Sequence, residues 1–396
     1  MTDPERRALH EQREEERRAL RRKKQDKRKK IAWIVIAVLI VVLVALRISE
    51  IDFASVSQKH TDSDGHFSFN SGYDNEAYPY ALDSSNDTAC AELSNKIAVL
   101  TAGSFQLLNP ADATEVRTVV HRYANPLLQT AGSYALIYDQ GGVKFRLETD
   151  SKTLYEQTAD HSILCAAVGA NGTVAVATLS DSAKCSIIVY SKSLEKINTY
   201  DISLGYVAQL AVDSSGSNIA YACFDSENAA LKTYVCYQSD EAATAELDCG
   251  ALLDLQFRGS KVYCVCAGGV ALLDRSGELQ SVFSADTPVQ ISAFCYNPAG
   301  DLVVCSAQSD TAATAQVSVI SENARLDTKF DVDFVPQCIA ASRSVYAVYN
   351  GTDIYLLDKS GAVTDTVSSV DSVSAMQVVS RRLFYIQQSM LSCHSL

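Results

Sequence analysis

Tryptophan is all but missing from this 396-residue chain: Trp33 is the single one, beside 6 histidines, 3 methionines and 7 prolines. Histidine is scattered (10, 60, 66, 121, 161 and 394), which leaves little material for an imidazole-built metal or acid–base centre. None of the 12 cysteines forms a C-x-x-C pair. The chain has no G-x-S-x-G elbow for a nucleophilic serine and no glycine-rich loop for a nucleotide phosphate. Beyond residue 48 there is no helix-period apolar pattern of ordinary length. These gaps leave nucleotide chemistry and serine or thiol covalent catalysis without a sequence anchor.

Against these gaps stands one long apolar run, Ile31 to Leu46, extended by Ile48 beyond Arg47. A membrane span needs about 17–25 apolar residues. Arg47 at one end and Lys29 and Lys30 at the other can reach outward along their own stems. The run reads as a single span, 31–48, with Trp33 at interface depth. The small residues of a cleavable signal peptide are missing at its end, where Leu43, Val44, Ala45 and Leu46 stand, so the reading is an uncleaved signal anchor. Residues 1–30 carry a net charge of +6 and residues 31–396 a net charge of −19. Positive flanks stay in the cytoplasm, so the N-terminal tail is expected inside and the long C-terminal part outside. The tail is rich in helix formers and pairs Glu14 with Arg18 and Asp26 with Lys30 at i,i+4. It has no Trp, Tyr or Phe to stack on bases, which argues against nucleic acid as a partner.

Residues 49–87 read as a linker rich in Ser, Asp and Asn. From about 88 to 396 short alternating runs of Val, Ile, Leu, Ala, Tyr and Cys are separated by Gly, Asn, Asp and Ser, which is strand and turn chemistry. The runs repeat, with first strands starting near 88, 126, 162, 206, 250, 290, 335 and 371. A four-stranded propeller blade takes about 40–45 residues. The expectation is an all-β chain: a β-propeller of eight four-stranded blades, with seven as the alternative, preceded by one transmembrane helix and a short basic cytoplasmic tail. The last start leaves room for three strands, and the linker can supply the fourth, around His66–Asn70 or Ala77–Leu82. Such a closure removes an open sheet edge.

The turns Asp213-Ser-Ser-Gly216, Asn297-Pro-Ala-Gly300 and Asn171-Gly172 resemble those after the first strand of WD40-like and quinoprotein-like propellers. The stretches Ala124–Gly132 and Tyr138–Gly142 are similar to a bacterial domain-of-unknown-function family of membrane-anchored propellers from Gram-positive anaerobes. That resemblance implies an architecture and no activity. The tryptophan docking motifs of quinone-dependent dehydrogenases, the Asp boxes of sialidases and the WD dipeptide are all missing here.

Seven cysteines (165, 223, 264, 266, 295, 305 and 338) lie inside apolar strands, where a thiol behaves as a small hydrophobe. The reading is mostly free thiols with one or two bridges. His60, Asp62, Asp64 and His66 would share one side of an extended segment and could hold a divalent ion, although a hydrophilic linker tip explains them as well. Asn86, Asn171 and Asn350 open glycosylation sequons, and the Asn-Gly pairs at 171 and 350 are equally hairpin turns; turns are the reading taken. No cofactor is expected and no individual site residue is nominated. The functional expectation is a membrane-tethered extracytoplasmic scaffold, not an enzyme, that binds an envelope protein. The alternatives are a metal-assisted hydrolase or lactonase-like propeller, or a sensor of a small ligand. They part at the channel, since an enzyme or sensor needs polar side chains converging there.

Overall fold

The computed structural model describes residues 77–83, 89–227, 230–237, 244–274, 276–282, 289–309, 311–321 and 325–396. The expected tail, span and His60–His66 cluster lie outside the described residues, as does Asn86. Among the described residues no helix is long and apolar enough to cross a membrane.

The described chain is all-β: eight antiparallel four-stranded sheets in a ring, an eight-bladed β-propeller. The blades occupy residues 89–120, 126–158, 163–202, 206–247, 252–281, 290–332, 338–367 and 373–395. Their first strands begin within three residues of the expected starts, and the seven-blade alternative is excluded. Each chain passage runs from the axis outward, and first strands of successive blades pack side by side. The eighth blade takes its outermost strand from Tyr80–Ala81, which pairs with Met390–Ser395 through Tyr80↔Leu391 and Ala81↔Met390. Of the two linker segments proposed for closure, the second is the one used. Tyr78 secures it: its ring meets Phe384 edge-on at 5.6 Å and its hydroxyl donates to the Asn109 carbonyl at 3.3 Å.

The cores lie between blades. Eight apolar clusters each join two neighbouring blades, including the seam where the eighth meets the first through Ile97, Val99, Phe384 and Ile386. First, second and third strands are therefore apolar on both faces, as a sheet covered on both sides requires. Fourth strands carry exposed charge on the rim, for example Glu115, Glu156 and Lys329, which discourages pairing with another chain. The third-to-fourth turns are chemically repeated. In both Asp274-x-Ser276-Gly277-Glu278 and Asp358-Lys-Ser360-Gly361-Ala362 the Asp Oδ1 accepts the Ser N–H at 2.8 Å, the Ser hydroxyl at 2.6 Å and the N–H four residues on at 3.1 Å.

None of the 12 cysteines is joined in a disulfide. The expectation of one or two bridges is corrected: their sulphurs fill the seams between blades as hydrophobes, Cys264 and Cys266 among them in one cluster. Asn171 and Asn350 are turn residues, each accepting a backbone N–H two residues on at 3.0 and 2.9 Å.

Candidate functional site

Strand direction sorts the loops onto two faces. The links between blades and the second-to-third links share one end, here the loop face. The first-to-second and third-to-fourth turns share the other, the hairpin face. Residues 78–82 climb the rim of the eighth blade from the hairpin side, where Tyr78 reaches Asn109, to the loop side, where the Leu82 N–H meets the Ser389 carbonyl at 2.8 Å.

The loop face is acidic. Asp83, Asp160, Asp181, Asp248, Asp333 and Asp371 are exposed on it, and among its described loop residues the bases are Arg122 and Lys184. Lys184 is paired with Asp225 at 2.6 Å. The hairpin face has a more even mix, including Lys152, Lys192, Arg325, Arg343, Lys359 and Arg381. Its Asp213, Asp274 and Asp358 are engaged as turn caps, with carboxyls held below the ordinary range. At Asp213 burial pushes the other way and the hydrogen bonds from Asn218, Ser215 and Ser217 outweigh it.

Apolar groups stand inside this acidic surround. Tyr206 is 53% and Leu253 39% exposed at the starts of adjacent first strands, and Leu179 is 39% exposed one strand further out in the next blade. The backbone causes part of this. Five first strands carry a register shift near their start: Ile163/Cys165, Val207/Gln209, Leu252/Asp254, Ile291/Ala293 and Val373/Ala375. A bulge leaves one residue unpaired and bends the strand. In the fifth blade that residue is Leu253, turned outward at the channel mouth.

The hairpin end of the channel holds two cavities. One, about 530 Å³, lies among blades six, seven, eight and one, between Glu92, Pro298, Arg343 and Arg381. The other, about 350 Å³, is walled by the first strands of blades two to five, with Gln129 and Thr130 on one side and Asp254, Gln256 and Arg258 on the other. Asp254, Gln256 and Arg258 alternate with Leu255 and Phe257, which pack on the fourth blade, so strand periodicity turns all three to the opposite side, toward the sixth blade, and all three border the cavity. The Tyr296 hydroxyl donates to Asp254 Oδ2 at 2.8 Å, and the Arg258 guanidinium stacks over the Tyr296 ring at 4.5 Å from its centroid. Burial raises the Asp254 carboxyl against the pull of Tyr296, the Leu255 N–H and Arg258. Burial and then the Asp254 charge push the Tyr296 phenol well above its usual value.

Sequence reasoning did not single out this constellation. Tyr296 and Asp254 are 42 positions apart on different blades. The available signal was local: Leu-Leu-Asp-Leu-Gln-Phe-Arg, 252–258, carries three polar groups at period two where the first strands Ile163–Val168 and Cys338–Ala341 carry none. The described histidines do not converge. His121 is buried with Nε2 3.1 Å from the Thr101 carbonyl, His161 lies 3.6 Å from Asp181, and His394 lies 3.1 Å from Asp365. Among the described residues no three His, Cys, Asp or Glu side chains gather as metal ligands.

Solved structures share the architecture. BamB from Moraxella catarrhalis is 12% identical with a TM-score of 0.50, covering 80% of this chain and 98% of that one. Sqt1 from Saccharomyces cerevisiae is 9% identical with a TM-score of 0.55, covering 81% and 97%. At such identities the likeness carries the fold alone. No curated protein matches the sequence. Residues 71–392 match the model of a family described as a family of unknown function, DUF5711.

Proposed function

We propose, for a chain that belongs to the family of unknown function DUF5711, a non-catalytic role as a membrane-tethered binding platform for an envelope protein. The span read at 31–48 supports the tether, and the charge step from +6 to −19 supports a propeller outside the cell. The observation that carries the reading is the loop face, where Tyr206, Leu253 and Leu179 are set within a field of exposed aspartates. Interfaces combine apolar and aromatic anchors with a polar rim. Opposite charge on the partner speeds encounter and rejects wrong partners. The partner surface is therefore basic around an apolar centre. The chain climbs onto the disc from the other end, so residues 78–81 do not cross this face. Closure by Tyr80–Ala81 and the eight inter-blade cores give the face a fixed frame, which lowers the ordering cost of binding.

The test compares full-length protein solubilised from membranes with two variants, Tyr206→Ala/Leu253→Ala and a fourfold Asp→Asn change at 160, 248, 333 and 371. A stoichiometric protein partner that stays with the wild type and leaves both variants, at unchanged melting temperature, supports the reading. Retention of the same partner by both variants refutes it.

A further inference from the structure

Arg258, half-buried at the edge of the channel, makes no ion pair within 4.0 Å among the described residues. Asp254, the neighbouring acid on the same strand face, is held by the Tyr296 hydroxyl instead. Arg258 Nη2 donates to Gln256 Oε1 at 3.2 Å, while its Nε is buried with no acceptor. An unsatisfied buried donor on a cationic group is uncommon and calls for an explanation such as a missing ion or ligand. The surroundings keep the guanidinium where it is. Tyr296 supports one face, and Gly300, at φ +90°, leaves room that a Cβ would take away, since it would come within 2.9 Å of Nη1. Arg258 is thus pre-positioned beside a cavity of about 350 Å³, near the lower end of the volumes that hold small molecules.

We propose that this cavity binds a small oxyanionic ligand, with Arg258 receiving its carboxylate or phosphate group and Gln129, Thr130 and Gln256 meeting its hydroxyl or amide groups. Guanidinium suits a planar carboxylate or a phosphate through paired N–H donors. Gln129 and Thr130 come from the second blade and Gln256 and Arg258 from the fifth, so a ligand bridging them is read by both walls. The site is at the hairpin end and uses none of the residues assigned to partner docking, so either can fail without the other.

Calorimetric titration of the full-length protein in detergent tests it, at constant ionic strength, with D-gluconate, L-glutamate, citrate and inorganic phosphate as probes. Saturable binding of at least one probe is expected. Arg258→Gln should weaken it about tenfold or more, the loss of one charge-assisted contact. Gln129→Leu/Thr130→Val, on the facing wall and away from the Arg258–Tyr296 stack, should weaken it several-fold. Arg343→Gln/Arg381→Gln, in the other cavity, should leave it unchanged. Preference for carboxylates or for phosphate then identifies the ligand class. No saturable binding of any probe up to 10 mM overturns the proposal. So does binding that Arg258→Gln and the facing-wall variant both leave intact.

Discussion

Glu148→Ala should open the seam between the first two blades. The Glu148 side chain is 0% exposed, with Oε1 2.5 Å from Arg146 Nε and Oε2 2.7 Å from Arg117 Nη2, the second contact an ion pair not aligned as a hydrogen bond. Thr153 donates to Oε1 at 3.1 Å and to neither arginine, which both present donors to its hydroxyl oxygen. The Arg117 and Arg146 side chains are only 16% and 9% exposed, so removal of the carboxylate leaves two cations with little water and only the half-exposed Glu156, 3.9 Å from Arg146 Nη1, as counter-charge. Breaking a buried pair in this way costs about 3–5 kcal/mol. Unfolding entropy near the midpoint is about 2.1 cal/mol/K per residue, or roughly 0.7 kcal/mol/K for some 320 residues, so the melting temperature should fall by about 4–7 °C. The assay is thermal unfolding followed by near-ultraviolet circular dichroism, which the tyrosines report. The threefold change Arg117→Met/Arg146→Met/Glu148→Leu removes both cations and the buried carboxylate between them, leaves the half-exposed Glu156 to water, and should return to within about 1 kcal/mol of wild type. A Glu148→Ala melting point within about 1 °C of wild type would show that the seam owes nothing to this carboxylate.

Further outcomes follow from other seams and turns. Tyr78→Ala loses the ring contact with Phe384 and the bond to Asn109 and, with the ring only half-buried, should cost about 2–3 kcal/mol in the same melt; an unchanged melting point would show that closure does not depend on it. Asp213 has a folded carboxyl below its ordinary value, so its contribution is full above the unfolded pKa and is lost as pH falls through the folded one. Asp213→Asn should therefore cost about 1–2 kcal/mol at neutral pH and flatten the acid limb of melting temperature against pH, and an acid limb of wild-type steepness would contradict this. Denatured, unreduced protein should take up 12 alkyl groups, and fewer would reveal a bridge. In the native protein Cys249 should react first, because the adjacent Cys266 thiol lowers its pKa, whereas burial raises Cys165 and Cys305; equal rates would count against that assignment.

The fold was largely legible because propeller grammar is local. Each first-strand start follows a sequence stretch that contains Gly, Asn, Asp or Ser, and the strands are short enough for period-two patterning to show in single blades. Even closure was readable, since a last repeat with three strands demands a fourth from elsewhere. The Tyr80–Ala81 pairing is only two residues long, which is why the sequence offered two segments and did not choose between them. The candidate surfaces were less legible because they are sums over blades. Arg258 meets Tyr296 across a seam, and Arg117 meets Glu148 across another, each joining residues more than 30 positions apart. The acidic face appears only after the loops are sorted by strand direction, when Asp160, Asp248, Asp333 and Asp371 fall on one side. Leu253 reads from the sequence as one more buried strand residue, and the bulge at Leu252/Asp254 is what turns it out.

The most direct measurement is photo-crosslinking in living cells, with a photoreactive residue placed in turn at Tyr206 and Leu253 on the loop face and at Lys192 and Lys359 on the hairpin face. A version carrying an unrelated membrane anchor serves as control, and products are read by mass spectrometry. One envelope protein should be joined through 206 and 253, and through neither 192 nor 359, by a segment that is basic around an apolar centre. Crosslinks that arise equally from both faces, or none above the control, would contradict it.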